Sequence, residues 1–131
     1  VNGFIDTNVL IYAFGDDPKA DRAGKLISAG NRIGVQSLNE FANVLRRRFK
    51  LPWPALNEAL MLLRAQHEVP VPLTLDVHLE GMRIAERYQL PIYDAMLLAA
   101  ALSAGCAIFY SEDLSDGMVI DNGLTIRNPF A

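Results

Sequence analysis

The chain is poor in the residues that staple small or secreted folds. Of its 131 residues one is cysteine, Cys106, so no intrachain disulfide can form; that fits a reducing compartment, the cytoplasm. It has two histidines, His67 and His78. They lack a metal-ligand spacing and lie in expected helices, where surface or packed imidazoles are the ordinary case. Basic residues do not dominate: 12 Lys and Arg stand against 15 Asp and Glu, a net charge of -3. A nucleic-acid binder more often presents a basic face, so that role would here need a local basic patch, with cations offsetting the acids. No basic segment followed by an apolar run opens the chain, and no signal peptide is expected. The most apolar long window, residues 92–110, contains Asp94, Ser103 and Gly105. It splits into a helix and a strand, which excludes a membrane span. Repeats, linkers and low-complexity runs are missing too. Residues 1–131 are therefore read as one domain, and a chain of this length buries roughly two-thirds of its unfolded surface without a staple.

What is present is an alternation of short apolar runs with helical patterns. Residues 3–5 read as a buried strand and 7–14 as a short helix. Gly15-Asp-Asp-Pro18 is a turn cluster. Residues 19–29 form a helix with Ala20, Ala23, Leu26 and Ile27 on one face, closed by Gly30. A second strand is expected over 32–36 and a helix over 37–50, stopped by Leu51-Pro-Trp-Pro54. Residues 55–67 are helical. The 69–74 stretch is extended, its two prolines favouring a sheet edge or a connection. A helix over 76–88 ends before Pro91, which suits the start of the next helix. That helix, 92–104, is apolar almost all round and should be the central buried one. A strand follows at 106–110, a turn-rich stretch at 114–122, and a last strand at 124–127. Strands alternating with helices imply an α/β fold, a mainly parallel sheet with helices on both faces.

Carboxylates recur where such a sheet would expose them. Ligands of open α/β sheets bind at the carboxyl ends of the strands. Asp6 follows the first strand, and Thr7 and Asn8 can orient it by hydrogen bonding. Asp is also a favoured N-cap, so both roles are open to Asp6. Ser37 and Glu40 have the S-x-x-E spacing of a capping box. Yet three residues into a helix after a strand, Glu40 would still lie near the carboxyl edge, and Ser37 could orient it. Asp94 lies in the first turn of the apolar 92–104 helix. A lone charge is costly there unless paired; a cation would resolve the cost, and the helix N-terminus favours the ionised form. After the 106–110 strand come Glu112, Asp113 and Asp116. Spacing does not tell which points inward, or whether the run is a solvated turn. Several carboxylates in one cleft repel each other unless cations neutralise them. Oxygen-only ligands favour Mg²⁺ or Mn²⁺ over zinc, and such a site suits phosphoryl displacement by activated water.

Four stretches carry a family resemblance: Phe4-Ile-Asp-Thr-Asn-Val-Leu10, Ser37-Leu-Asn-Glu-Phe-Ala-Asn-Val44, Ile92-Tyr-Asp-Ala-Met-Leu-Leu-Ala99 and Tyr110-Ser-Glu-Asp-Leu114. In order and spacing the chain resembles a PIN domain, specifically a VapC-type toxin ribonuclease, over essentially its whole length. The resemblance implies a three-layer α/β/α sandwich with a mainly parallel central sheet. It implies a Mg²⁺- or Mn²⁺-dependent endoribonuclease that hydrolyses RNA to 5′-phosphate and 3′-hydroxyl ends. Carried over by motif, Asp6 and Asp94 would be the principal metal ligands. Glu40 would bind metal directly or through water, or help activate the attacking water. Asp113 would support a ligand or a second metal, with Asp116 as a substitute. Thr7, Asn8 and Ser111 would orient the ligands. A homodimer and a cognate VapB-type antitoxin in the cleft complete the implied set. The run from Glu112 to Asp116 departs from the pattern in offering three acids where one is needed.

Arg46, Arg47, Arg48 and Lys50 form the sole basic run, with Phe49 inside it. They suit RNA phosphates and equally suit a solvated helix end that complements the helix dipole. Trp53, between two prolines, reads as packing or an interface anchor, and Cys106 as an inert core residue. Two other functions compete. An aspartyl-phosphate phosphatase or phosphotransferase commonly wants a second aspartate two positions after the nucleophile, and position 8 is Asn. A non-catalytic PIN-fold binding protein would not need all four acids.

Overall fold

The computed structural model describes residues 2–131. In chain order the elements are β1 (Gly3–Ile5), α1 (Thr7–Phe14), α2 (Ala20–Ser28), α3 (Val35–Arg47), α4 (Trp53–Ala65), α5 (Leu75–Tyr88), α6 (Ile92–Ser103), β2 (Ile108–Tyr110), β3 (Val119–Ile120) and β4 (Leu124–Arg127). The sheet order is β1-β2-β4-β3. β1, β2 and β4 run parallel, with Phe4 opposite Phe109 and Phe109 opposite Ile126. β3 pairs antiparallel with β4. Beyond β1 the sheet continues as two parallel bridges, Phe4 with Arg32 and Gly34 with Val71. Val71 thus sits at the edge between Pro70 and Pro72, a place where proline's missing donor costs nothing.

Because strand side chains alternate, the sheet has two apolar faces and each supports its own core. Phe4 and Phe109 stack on one face, ring centroids 5.6 Å apart, under α5 and α6. Ile5 and Tyr110 face the other way, into the core built by α1 to α4. This is the expected three-layer α/β/α sandwich with a mainly parallel sheet. α6 is buried continuously from Ala95 through Ala101, since the sheet lies beneath it and α5 beside it. Fully burying Leu97 and Leu98 contributes about 1.5–3 kcal/mol each. Gly81 allows α5 this close approach: a Cβ there would lie 2.5 Å from Met96 Sδ. No helix among the described residues is long and apolar enough to cross a membrane.

Four local expectations are corrected. The strand expected over 32–36 shrinks to the bridges at Arg32 and Gly34, and α3 starts at Val35. Gly34, extended at φ −110°, is its N-cap, and the Gly34 N–H donates to Ser37 Oγ at 3.0 Å. Ser37 is therefore the third helical residue, and the Ser37–Glu40 capping box does not form. α4 starts at Trp53, with Pro54 in the first turn where a missing N–H is harmless. β3 lies inside a stretch read as turns. Asp121 and Asn122, at φ 51° and 57°, reverse the chain into β4, a conformation Asp and Asn tolerate better than most residues.

Candidate active site

β1 and β2 end side by side, so Asp6 and Ser111 leave the sheet as neighbours. The Asp6 N–H donates to Tyr110 O at 2.9 Å, and the Ser111 N–H to Arg127 O at 3.0 Å. Asp6 does cap α1: its Oδ1 accepts the Thr7 N–H at 2.8 Å. Capping uses one oxygen. The other, Oδ2, accepts from Ser111 Oγ at 2.8 Å. Ser111 is fully buried, and its oxygen also accepts the N–H groups of Asp113 and Leu114, each at 3.2 Å. A hydroxyl has two lone pairs and one proton. Both lone pairs are taken, so the proton is directed at Asp6. That fixes the carboxylate as an acceptor at both oxygens. Asp6 is only 5% exposed. Its pKa is raised to about 6, chiefly by burial and against the opposing pull of the Ser111 hydrogen bond, with Asp94 and Asp113 contributing to the rise.

Of the three acids after β2, Asp113 turns to this site. The Asn8 side-chain amide donates to Asp113 Oδ2. Glu112 is engaged elsewhere, accepting from Tyr12 Oη at 2.6 Å and pairing with Lys19. Asp116 accepts the Asn128 N–H at 2.9 Å, which ties down the chain after β4. Asp6 and Asp94 both feel the charge of Asp113.

The opposite flank comes from helices. Glu40 lies in the second turn of α3, half-buried, and Gln36 one turn earlier hydrogen-bonds to it. Glu40 Oε2 is buried with no hydrogen-bond partner. Burial raises the Glu40 pKa to about 7, with Asp6 and Asp94 adding to the rise. Asp94 stands in the first turn of α6, whose N-cap is Pro91, so it is not a cap. Its pKa is raised by burial and then by Asp113. Asp113 thus acts on Asp6 and Asp94, and those two act on Glu40, which links the four acids across one cleft. Gln36 was not singled out in the sequence; its i,i+4 spacing to Glu40 was the available signal. Two expected orienting roles change. Thr7 supports Asp6 through its backbone, its Oγ1 being buried and unpaired. Ser37 bonds to Gly34 rather than orienting Glu40.

The donor set is carboxylate oxygen throughout, and one of those oxygens is buried and unpaired. A hard divalent cation fits that chemistry. No three His, Cys, Asp or Glu among the described residues close into a cage around one point. Mg²⁺ usually keeps several waters and takes one or two protein carboxylates.

The basic run divides. Arg46 Nη1 donates to Leu51 O at 2.7 Å, and its guanidinium lies 4.3 Å from the Trp53 ring centroid, closing the corner between α3 and α4. Arg47, Arg48 and Lys50 are exposed and make no ion pair among the described residues. His67 is packed against Asn31 O at 2.6 Å, and His78 is exposed. Cys106 is buried, which pushes its thiol pKa up.

The model of the PIN domain family matches residues 3–115. No protein of curated function matches the chain in sequence. Solved structures share its fold. A toxin–antitoxin complex from Klebsiella pneumoniae superposes with a TM-score of 0.73 at 19% identity, covering 97% of each chain. VapC20 of Mycobacterium tuberculosis, a toxin that cleaves the sarcin–ricin loop, gives 0.66 at 20% identity over 85% of this chain and 91% of its own. VapBC2 of Rickettsia felis, bound to a DNA fragment of its promoter, gives 0.63 at 16% identity over 96% and 98%.

Proposed function

Because the chain belongs to the PIN domain family, we propose that it is a metal-dependent endoribonuclease, the toxin of a VapBC-type toxin–antitoxin pair. The observation that carries this reading is the convergence of carboxylates on one cleft: Asp6 held by Ser111 and the Thr7 N–H, Asp113 held by Asn8, and Glu40 and Asp94 close enough for charge to act between them and Asp6. Structural neighbours support it: one is a toxin that cleaves the sarcin–ricin loop, and two are toxin–antitoxin assemblies.

Asp6 and Asp94 would hold Mg²⁺ or Mn²⁺, with Asp113 beside them. A divalent cation bound there supplies an acidified water and stabilises charge on the phosphoryl oxygens in an in-line displacement. Ser111 and the Thr7 N–H keep Asp6 from rotating, so its remaining lone pairs stay directed into the cleft. Asn8 does the same for Asp113. Glu40 is the proton acceptor. Before a cation binds, burial holds its pKa at about 7, near neutral pH, where a general base works best, and its Oε2 has no hydrogen-bond partner to compete for a proton. The phosphatase alternative loses further ground, because the Asn8 amide is already engaged with Asp113. Of the basic run, Arg47, Arg48 and Lys50 are the residues available to RNA phosphates, Arg46 being used at the helix corner.

A VapB-type antitoxin and a second copy of the chain are the proposed partners. The corner around Pro52–Pro54 holds the exposed Trp53, already stacked by Arg46. A larger apolar face lies on α5, where Leu75, Leu79 and Met82 recur at i, i+4 and i+7 and are all exposed. Ile92 and Tyr93 are exposed too, and they line one depression with Leu75 and His78. Contiguous exposed apolar surface of this kind marks a protein interface, and this face fits the second copy better than the tryptophan corner.

The test is cleavage of a cellular RNA pool, tRNA included, with Mg²⁺ or Mn²⁺, with chelator, and with Asp94→Asn purified in parallel. Discrete fragments from the parent protein alone, lost on chelation, establish the nuclease. Identical traces from parent and Asp94→Asn rule it out.

A further inference from the structure

Beside the acidic cleft, α1 and the C-terminal end of α3 enclose a pocket of about 350 Å³. Asn8, Tyr12, Asp16, Asp17, Arg48 and Phe49 are among its walls. It neighbours the cleft: Asn8 lines it and also donates to Asp113. The size is that of a small-ligand site, which starts near ~300 Å³, and so admits one nucleotide-sized group.

The chemistry of the walls is mixed. Arg48 makes no ion pair among the described residues, and its guanidinium lies 5.6 Å from the Phe49 ring centroid. Asp17 Oδ1 accepts the Lys19 N–H at 2.9 Å, which leaves Oδ2 and the exposed Asp16 as acceptors. A phosphate alone would be repelled by two aspartates, and an apolar side chain would strand them. A nucleotide satisfies both sets of groups, with its phosphate on the arginine and its base edge on the carboxylates. The α3 surface supplies the path. Arg47 follows Glu40 by seven residues, about 10.5 Å at 1.5 Å per residue, and Arg47 and Arg48 share a shallow depression with Asn43 and Val44. A strand with its scissile phosphate at the carboxylates therefore meets free guanidinium groups roughly two helical turns away.

We propose that this pocket seats the base of a nucleotide flanking the cleavage point. Arg48 binds the phosphate, and Asp16 and Asp17 select a base bearing an exocyclic amino group. Carboxylates only accept hydrogen bonds. Cytosine, adenine and guanine offer exocyclic amino donors, whereas uracil offers only its ring N3–H. The inference rests on the endoribonuclease reading and adds to it a preference at one position.

Short RNAs, taken from the cleaved pool or, where nothing is cleaved, from tRNA of the same pool, with uridine placed in turn at each position, test it. Cleavage gives KM and kcat, and anisotropy with the Asp94→Asn protein gives Kd across a salt series. Arg48→Ala should raise Kd and KM about tenfold, leave kcat within twofold, and lower the salt slope by roughly one. Arg48→Lys should recover most of the affinity, and Arg87→Ala, a charge removed at the far end of α5, should change neither. At one flanking position uridine should cost about tenfold, and the Asp16→Asn/Asp17→Asn double variant should abolish that cost. Both aspartates and Arg48 are exposed, so these variants should fold. If the parent cleaves RNA but Arg48→Ala binds equally well and the uridine scan is flat, the pocket assignment falls and the nuclease stands. If no RNA is cleaved yet binding still depends on Arg48 and on the base, the pocket stands and the nuclease reading falls. If RNA is neither cleaved nor bound, both fall.

Discussion

The two flanks of the acidic cleft are built by different means. On the sheet side, Asp6, Ser111, Asn8 and Asp113 are tied by side-chain hydrogen bonds that cross more than a hundred residues of sequence. The register of β1 on β2 makes those bonds possible, and Gly3 helps set it: a Cβ there would come within 2.7 Å of the Tyr110 ring. On the helix side, Glu40 and Asp94 are carried by α3 and α6 and held mainly by packing. Gln36 bonds to one of them, and Glu40 Oε2 bonds to nothing. One flank is a preorganised frame; the other keeps unsatisfied charge in reserve for a cation and a proton. Preorganisation needs backbone and side chain locked together, whereas a proton acceptor needs an oxygen left free.

Variants on the two flanks should therefore differ in the sign of their stability effects as well as in their activities. Asp6→Asn should abolish cleavage, by roughly a thousandfold or more, since about 4 kcal/mol of charge stabilisation is withdrawn. Its fold should survive, because Asn caps a helix as well as Asp. Single-turnover rates and a thermal melt of the same preparation check both halves. Retained activity would remove Asp6 from the mechanism.

Ser111→Ala strips the frame while leaving every carboxylate in place. It leaves two N–H groups and one Asp6 oxygen unpaired, so a stability loss of about 1–3 kcal/mol is expected, with activity down about 10–100-fold. The Ser111 hydrogen bond lowers the Asp6 pKa, so its removal must raise it above about 6. The acid limb of the pH–rate profile should move to higher pH. An unmoved limb would show that Ser111 does not act through Asp6.

Glu40→Gln should do the opposite to stability. Asp6 and Glu40 have folded pKa values of about 6 and about 7, above their ordinary 3.8 and 4.5. A raised carboxylate pKa means that the folded state binds the proton more tightly than the unfolded state. The stability it contributes is complete below the unfolded pKa and is lost as pH rises through the folded one. Without divalent cation, the Tm should fall between about pH 4.5 and pH 8, and millimolar Mg²⁺ should restore it. Glu40→Gln should flatten that fall and gain about 1 kcal/mol at pH 8, discounted for half-exposure, while cleavage drops. A melt that is flat with pH in the parent protein would contradict the raised values.

The mildest change should be Glu112→Gln. Glu112 lies next to Asp113, but its partners are Tyr12 and Lys19. Cleavage should stay within about twofold, as expected for an exposed ion pair. A large loss would mean that Glu112, and not Asp113, serves the cleft.

Much of this was legible in the sequence because it is local. Short apolar runs marked residues 3–5 and 124–127 as strands, and period 3.6 marked the helices. The unbroken apolar character of residues 92–104 identified the buried helix. Asp6, Glu40 and Asp94 could be assigned to the carboxyl edge because each stands a few residues past the start of an element, where the backbone leaves little freedom. Val35 was misread because a β-branched residue after Ile33 looks like strand; a Gly34 N–H bonding to Ser37 settles the matter instead.

What only the tertiary structure decided is which way particular side chains turn. Glu112, Asp113 and Asp116 are equivalent by spacing. They part company because Tyr12 and Lys19, Asn8, and Asn128 wait at different places around them. Arg46 is separated from Arg47 and Arg48 in the same way, by Leu51 O and the Trp53 ring. Sequence periodicity reports the path of the backbone, which neighbouring residues set. The direction of a charged side chain is set by partners in space, most of the acids' partners lying far along the chain, and these meet only when the sheet has brought its strands into register.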